Sequence, residues 1–423
     1  MSVKTGVMLG ITGVAALAAA ITLGYNMYKG TDIADSAPSV LPQATADVEQ
    51  NEISLEGMSM SDMVYQMMFV TPESITGVDT AIRAGATTKA ALEKYPVGGI
   101  VYFAKNFKDR EQTSEMIKNT QEYSKIPLFI GVDEEGGKVA RLGNNPSMGV
   151  TKQPPMKKIG ETGDPKKAYD VGQTLGQDLS KLGFNVDFAP DADVLINPDN
   201  KEIGNRSFGT DPKTVSVMVE NVVKGLQDNG VSSALKHFPG HGATYTDSHT
   251  GYSEVKRTAD ELRADEFLPF KAGIDAGADF VMVSHMTLVN ATEEKVPSSI
   301  SKEVITDMLF NELGYTGIAI TDSFSMGAIT KEFTVEEAVV KAVKAGADMI
   351  LVPSDLEKTH AALVNAVENG SIPKERIEKS VRKILTLKMK KGMLGQIIKE
   401  PVVRNDLNLR SAPQTPNNKA DKP

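Results

Sequence analysis

The chain has 423 residues, 40% of them hydrophobic, a net charge of −9 and no cysteine. Such length and apolar content allow a large core, as one big domain or two ordinary ones, while the acidic balance argues against nucleic acid, whose phosphates need a basic surface. Without cysteine, a disulfide, a thiol nucleophile, an iron–sulfur cluster and a lipoprotein anchor are all excluded.

From the N-terminus, Val7 to Tyr28 is uncharged and mostly apolar, which matches the roughly 20 helical residues that cross a bilayer core. It reads as a membrane segment or a signal peptide. Ala16-Leu17-Ala18 fits a small-x-small cleavage site, but apolar residues continue beyond it, and Ala44-Thr45-Ala46 lies far downstream. The expectation is an uncleaved single-pass anchor over residues 1–30 with the body outside the cell. Its orientation rests weakly on Lys4 against Lys29 and mainly on position and function. Residues 31–52 are Ser, Ala, Pro, Asp and Gln without periodicity, the composition of a flexible linker. Residues 399–423 have the composition of a disordered tail, leaving 53–398 as one folded domain.

Within that domain, seven short apolar runs alternate with helical patterns: Gly99–Phe103, Leu128–Val132, Phe184–Phe188, Val231–Leu235, Phe280–Val283, Ile318–Ile320 and Met349–Val352. One helical pattern places Ala168, Val171, Leu175, Leu179 and Leu182 on one face, and Thr258 with Glu261 and Thr334 with Glu337 have capping-box spacing. Repeated strand–helix units with continuous apolar strands predict an α/β fold whose parallel sheet is covered on both faces. A doubly wound open sheet and a closed (β/α)8, TIM-like barrel both satisfy this. The polar residues decide between them. Asp133, Asp187 with Asp191, Lys236 with His237, Ser284 with His285, and Thr321 with Asp322 stand at the ends of five different runs, which suits a barrel mouth better than one crevice. The eighth strand has no assigned place. Gly136-Gly137 lacks the spacing of a phosphate-binding loop, and the basic run Arg382–Lys391 is assigned to the solvated face of a last helix.

The densest chemistry lies in Lys236–His249, KHFPGHGATYTDSH, which holds three of the five histidines. A strand ends at Lys236 and His237; Pro239, Gly240 and Gly242 then stop regular structure. The polar loop that follows carries Asp247 and His249 two residues apart, with Gly242 and Gly251 at its ends to let it swing. His237 and His241 have the i, i+4 spacing of helical zinc sites, and Asp247 and His249 would complete a ligand set. Pro239 and Gly240 argue against a helix there, so no metal or other cofactor is expected. A purely structural cluster is the remaining alternative.

These segments resemble glycoside hydrolase family 3, and within it the bacterial β-N-acetylglucosaminidases of peptidoglycan recycling. The resemblance runs over roughly residues 57–395, through MSMSDMVYQMMF, GGIVYFAKN, GVDEEGGKVARLG, NVDFAPDADV, IGNRSFG, KHFPGHG, TDSFSMGAI and RIEKSVRKILTLK. KHFPGHG followed by Asp-Ser-His is the most specific part, because other branches take their acid/base carboxylate from a separate region. Glu134 and Lys138 stand where His and Arg are commoner.

The resemblance implies an exo-acting, retaining β-N-acetylglucosaminidase. It makes Asp322 the nucleophile and His249 the general acid/base, oriented by Asp247. Asp133, Arg141, Arg206, Lys236 and His237 would bind the hydroxyls of a terminal β-linked N-acetylglucosamine, in muropeptides or cell-wall ends. These residue types suit the reaction: a carboxylate stabilises and then traps an oxocarbenium-like centre while an acid protonates the leaving oxygen. An imidazole titrating near pH 6.5 can be that acid, and an aspartate can orient it as in a hydrolase triad. Lys236 and Arg206 could instead form structural ion pairs. Three other functions remain open: a β-N-acetylglucosaminide phosphorylase, since a histidine acid is neutral after proton loss and would not repel phosphate; a β-glucosidase of the same family; and a cell-surface binding module on an inactive barrel.

Overall fold

Among the described residues, eight short parallel strands follow one another in sequence order around a nearly closed barrel: β1 Met68–Val70, β2 Gly99–Val101, β3 Phe129–Val132, β4 Val186–Asp187, β5 Ser232–Phe238, β6 Phe280–Val283, β7 Ile318–Thr321 and β8 Ile350–Leu351. From β1 to β7 each strand pairs with the next, β8 pairs with β1, and β7 is joined toward β8 by a single parallel bridge from Ile320 to Met349, the residue preceding β8. This computed structural model describes residues 53–244 and 253–394. The expected anchor, linker and tail lie outside those residues; among the described residues no helix is long and apolar enough to cross a membrane.

The eighth strand is β1, the first in the chain. It starts one residue after helix Met60–Gln66, with only Met67 between them. Residues Met63 to Val70 are all buried, so helix and strand merge into one apolar stretch. Methionine favours helix and marks no boundary, which hides the change of period from the sequence.

Strand residues are chosen for a filled interior. A Cβ on Gly99 or on Gly131 would stand 2.8 Å from the ring of Phe69, and one on Gly131 would also stand 2.8 Å from Phe188. The two glycines on neighbouring strands therefore make the space in which Phe69 and Phe188 meet edge to face, at 5.3 Å between centroids. Aromatic pairs of this kind add about 0.5–1.5 kcal/mol beyond the area they bury. Phe129 and Phe280 form a second such pair at 5.2 Å.

The covering helices follow their sequence signals. Helix Pro165–Leu182 starts at Asp164, whose side chain accepts from Lys166 N, and stops at Gly183 with φ 95°. Its predicted apolar face is buried. It lies against helix Pro212–Gln227 where Gly172 meets Gly225, since a Cβ on Gly172 would stand 2.3 Å from Val222 O. Both predicted capping boxes form.

The last helix corrects one expectation. In Lys374–Lys390 the basic run is not a solvated face: Arg382 donates to Ile53 O, the Lys383 amine lies 2.9 Å from Asp348 Oδ2, and Lys388 is fully buried. The Lys388 amine donates to Gln66 Oε1 at 2.9 Å and sits 5.1 Å from the Phe129 ring centroid. Long aliphatic stems allow such residues to bury apolar length and reach an internal acceptor.

Burial pushes the Lys388 amine down to about 7, against roughly 10.4 in an unfolded chain. The unfolded chain therefore holds a proton that the fold does not across about pH 7–10, and stability rises with pH in that window. The cost is fully present below pH 7. Lys388→Met removes this dependence, so its stability relative to wild type should be more favourable at pH 6 than at pH 10 by about 4 kcal/mol. Thermal or denaturant unfolding across that range is the check, and a pH-independent difference would refute it.

Candidate active site

The carboxyl ends of the strands bring the chemistry together. Asp133 follows β3 and opens a short hairpin, Glu134–Gly136 with Val139–Ala140. The turn needs its glycines, since Gly136 and Gly137 have φ 100° and 58°. Glu134 pins the chain beyond the hairpin by accepting from Leu142 N at 2.7 Å and Gly143 N at 2.9 Å; burial raises its carboxyl to about 7.

Glu135 is the centre of a buried ion network. Its carboxylate takes Arg206 NH2 at 2.8 Å, Arg206 Nε at 2.9 Å and Lys236 Nζ at 2.6 Å. Burial alone would raise this carboxyl, but the two cations hold it well below the usual carboxylate range. Lys236 also reaches Asp133 Oδ1 at 2.8 Å. Burial would lower its amine, yet Asp133 and Glu135 raise it above its ordinary value, so the ammonium stays charged. Arg141 lies 3.5 Å from the other Asp133 oxygen and 6.0 Å from the Phe103 ring centroid.

His237 stands beside Lys236 at the end of β5, across a cis peptide. Its Nδ1 lies 2.7 Å from Asp193 Oδ2 and its Nε2 lies 3.1 Å from Arg206 NH2. Asp193 is fully buried; burial would raise it, but His237 and His241 bring it below its ordinary value. An ionised Asp193 only accepts, so Nδ1 carries the hydrogen and Nε2 accepts from the guanidinium. Asp191, 3.4 Å from Arg206 Nε, is pushed well above its ordinary value by burial and by Asp193.

Asp322 ends β7. Its N–H donates to Val283 O at 2.8 Å, and its Oδ1 accepts from Ser323 N at 2.7 Å. It faces a cavity of about 320 Å³ whose lining includes Asp133, Arg141, Arg206, Lys236 and His237, with Phe188 and Met282 among its apolar members. Val352, also in the lining, has φ 43°. A β-branched residue there carries strain of order 1–3 kcal/mol; its N–H is held by Phe69 O at 2.7 Å.

All six nominated residues that fall among the described ones thus share one cavity. Asp247 and His249 lie outside the described residues. The strands carry this set from widely separated positions, as a barrel mouth requires. Sequence singles out neither Glu135 nor Asp193, and it marks His285 only as a polar residue closing an apolar run, with no role in the site. The doubled carboxylate of Asp-Glu-Glu-Gly-Gly was the available signal for Glu135, but its importance depends on partners far along the chain.

The reading of Gly242 as a swing point is corrected. A Cβ there would lie 1.7 Å from Val194 O, so the glycine is demanded by close packing. Around it, Asn197 N donates to Gly242 O at 2.9 Å, Asn200 Nδ2 to His241 O at 2.9 Å and Asn197 Nδ2 to Thr244 O at 2.8 Å. The chain is held firmly up to Thr244.

Among the described residues, Asp191, Asp193 and His237 are the group with carboxylate and imidazole atoms close enough for a metal. Both His237 nitrogens are engaged, by Asp193 and Arg206, and the guanidinium already balances the acids. His237 lies in a strand, which removes the helical spacing argument for His237 with His241.

The sequence profile of the Glycosyl hydrolase family 3 N terminal domain matches residues 59–387. Beta-hexosaminidase A of Pseudoalteromonas piscicida is 34% identical over 331 residues, covering 71% of this chain and 54% of that protein. Beta-hexosaminidase LpqI of Mycobacterium tuberculosis is 34% identical over 322 residues, covering 73% of this chain and 79% of that protein. Among solved structures, a glycoside hydrolase family 3 β-N-acetylglucosaminidase from Paenibacillus sp. superposes with a TM-score of 0.74 at 35% identity, over 80% of this chain and 63% of that one. The chain therefore spans about half of the Pseudoalteromonas protein and somewhat under two thirds of the Paenibacillus one. The β-glucoside phosphorylase BglX, with a TM-score of 0.71 and 24% identity, shares the fold.

Proposed function

Because this chain belongs to glycosyl hydrolase family 3, we propose that it is an exo-acting, retaining β-N-acetylglucosaminidase that removes terminal β-linked N-acetylglucosamine from peptidoglycan fragments or related glycans. The observation that carries this reading is the single cavity of about 320 Å³ shared by Asp322 and the cation-bound carboxylates. Its volume lies near the lower end of ligand pockets and suits one sugar ring better than a continuous polymer. The relatives named as β-hexosaminidases support the substrate class.

In the proposed reaction the Asp322 carboxylate attacks the anomeric carbon and the glycosidic bond breaks, giving a glycosyl-aspartate ester. His249, oriented by Asp247, protonates the departing oxygen and then takes a proton from the water that hydrolyses the ester. Asp133 accepts from sugar hydroxyls, Arg141, Arg206 and Lys236 donate to them, and His237, whose Nδ1 hydrogen is held by Asp193 and whose Nε2 accepts from Arg206, borders the sugar and holds the Arg206 guanidinium toward it. Phe188 and Met282 offer an apolar wall for the ring's C–H face. Residues 1–30 would hold the enzyme on the outer face of the cytoplasmic membrane; release of the body by cleavage would make it secreted.

Turnover of aryl β-glycosides by the purified protein tests this. The N-acetylglucosaminide should be cleaved far faster than the glucoside, in buffer without phosphate, to give the free sugar. Preference for the glucoside would overturn the substrate; a sugar 1-phosphate product formed only with added phosphate would make it a phosphorylase; cell-wall binding without turnover would make it a binding module. His249→Ala should lose about 10²–10⁴-fold on poor leaving groups and much less on nitrophenol. Equal losses on both would remove the acid role.

A further inference from the structure

We propose that His285 is a positioning residue for the nucleophilic carboxylate, a reading that rests on Asp322 being the nucleophile. His285 lies two residues beyond β6 and is fully buried. Its Nε2 lies 2.9 Å from the carbonyl oxygen of Ser323, and its Nδ1 lies 2.8 Å from Ser299 Oγ. A carbonyl oxygen only accepts, so Nε2 carries a hydrogen, and in the neutral ring Nδ1 accepts from the Ser299 hydroxyl. The serine thus selects the tautomer that grips the turn after Asp322.

That turn is where the carboxylate is aimed. Ser323 N–H donates to Asp322 Oδ1 at 2.7 Å, while the carbonyl of the same residue is the group that His285 holds. On either side the backbone is tied to neighbouring strands, Asp322 N to Val283 O at 2.8 Å and Phe324 N to Leu351 O at 2.9 Å. The Phe324 ring meets the His285 ring at 5.6 Å and 60°. The Ser323 carbonyl and the Phe324 N–H belong to one peptide plane, so His285 and Leu351 O pin that plane from its two edges, and the preceding plane, which carries the Ser323 N–H, hinges on it at the Ser323 Cα. With the His285 bond lost, the Ser323–Phe324 plane is held at one edge alone, and its tilt shifts the adjoining plane whose N–H orients Oδ1. A reacting group displaced by about 1 Å loses on the order of 10²-fold in rate.

The rival reading is a core histidine that merely fills space and satisfies two neighbours. The two differ in which amide side chain can replace it. Glutamine places its amide nitrogen near the position of Nε2, whereas asparagine reaches only the position of Nδ1. The experiment measures kcat, KM and melting temperature for His285→Ala, His285→Asn and His285→Gln on a nitrophenyl β-N-acetylglucosaminide, with Asp322→Ala alongside. Positioning predicts that Ala and Asn lower kcat by about 10²-fold with KM within about two-fold, and that Gln returns kcat to within about ten-fold of wild type. A space-filling role predicts that Asn and Gln lose alike, in step with melting temperature, and that result overturns the proposal. So does wild-type kcat in His285→Ala. If His285→Ala does not fold, the contrast between Gln and Asn decides. An active Asp322→Ala would remove the underlying assignment instead, whatever the His285 variants do.

Discussion

Asp322→Ala should lower turnover by at least about 10⁴-fold and leave the barrel folded. The side chain is partly exposed to the cavity, and the backbone bond from Asp322 N to Val283 O does not depend on it. Among the bonds lost is the acceptor for Ser323 N, which water in the vacated space can replace. The loss should be chemical, so KM for an aryl glycoside should move little while kcat collapses. Azide should then attack from the face that the carboxylate occupied and restore part of the rate, giving a glycosyl azide of α configuration. Wild-type turnover in this variant, or rescue with a β-configured product, would reassign the nucleophile.

Glu135→Gln should cost the fold about 3–5 kcal/mol, because it removes the carboxylate shared by two buried cations. As ion-pair partners Arg206 would keep the longer contacts with Asp191 and Glu202, both at 3.4 Å, beside its bond to neutral His237, and Lys236 would keep Asp133. For a domain of this size the melting temperature should fall by roughly 4–7 °C. Activity should fall with it, since Lys236 and Arg206 would no longer be held at fixed points on the cavity wall. The pH dependence follows from the depressed carboxyl. Its contribution is complete above an unfolded value near 4.3 and is lost only as pH falls through the lower folded value. The deficit of the glutamine variant should therefore be constant from about pH 5 to 8 and shrink in acid. A variant as stable as wild type at pH 7 would show that the network is not held together by this charge.

What sequence made legible, and what it hid, divides by range. Seven strands could be seen as apolar runs because both faces of a barrel strand are covered. The first strand could not, because Met67, Met68 and Phe69 continue a buried helix without a breaker. Asp133, Lys236, His237 and Asp322 were visible as polar residues closing apolar runs. Glu135 was not separable from its neighbour Glu134, although one binds two cations and the other two backbone amides. That difference is set by the direction of two successive side chains in a hairpin. Gly242 shows the same limit: its spacing suggested freedom, and only the carbonyl of Val194 reveals confinement. Lys388 is the opposite case, a charge-bearing residue whose acceptor, Gln66, lies near the other end of the domain.

The pairing of β1 with β8 sets an order of events during synthesis. Met68 pairs with Ile350, Lys388 reaches Gln66, and Arg382 reaches Ile53. Made at about 5–20 residues per second, the chain carries an unpaired β1 edge for roughly 15–60 s before its partner exists. Methionine and phenylalanine line that edge, and an open strand of this kind invites pairing with other chains. A nascent chain of this protein is therefore a natural client for holding chaperones until the last strand and the helix after it have emerged, and a ribosome stalled before residue 350 would release an aggregation-prone fragment rather than a smaller barrel.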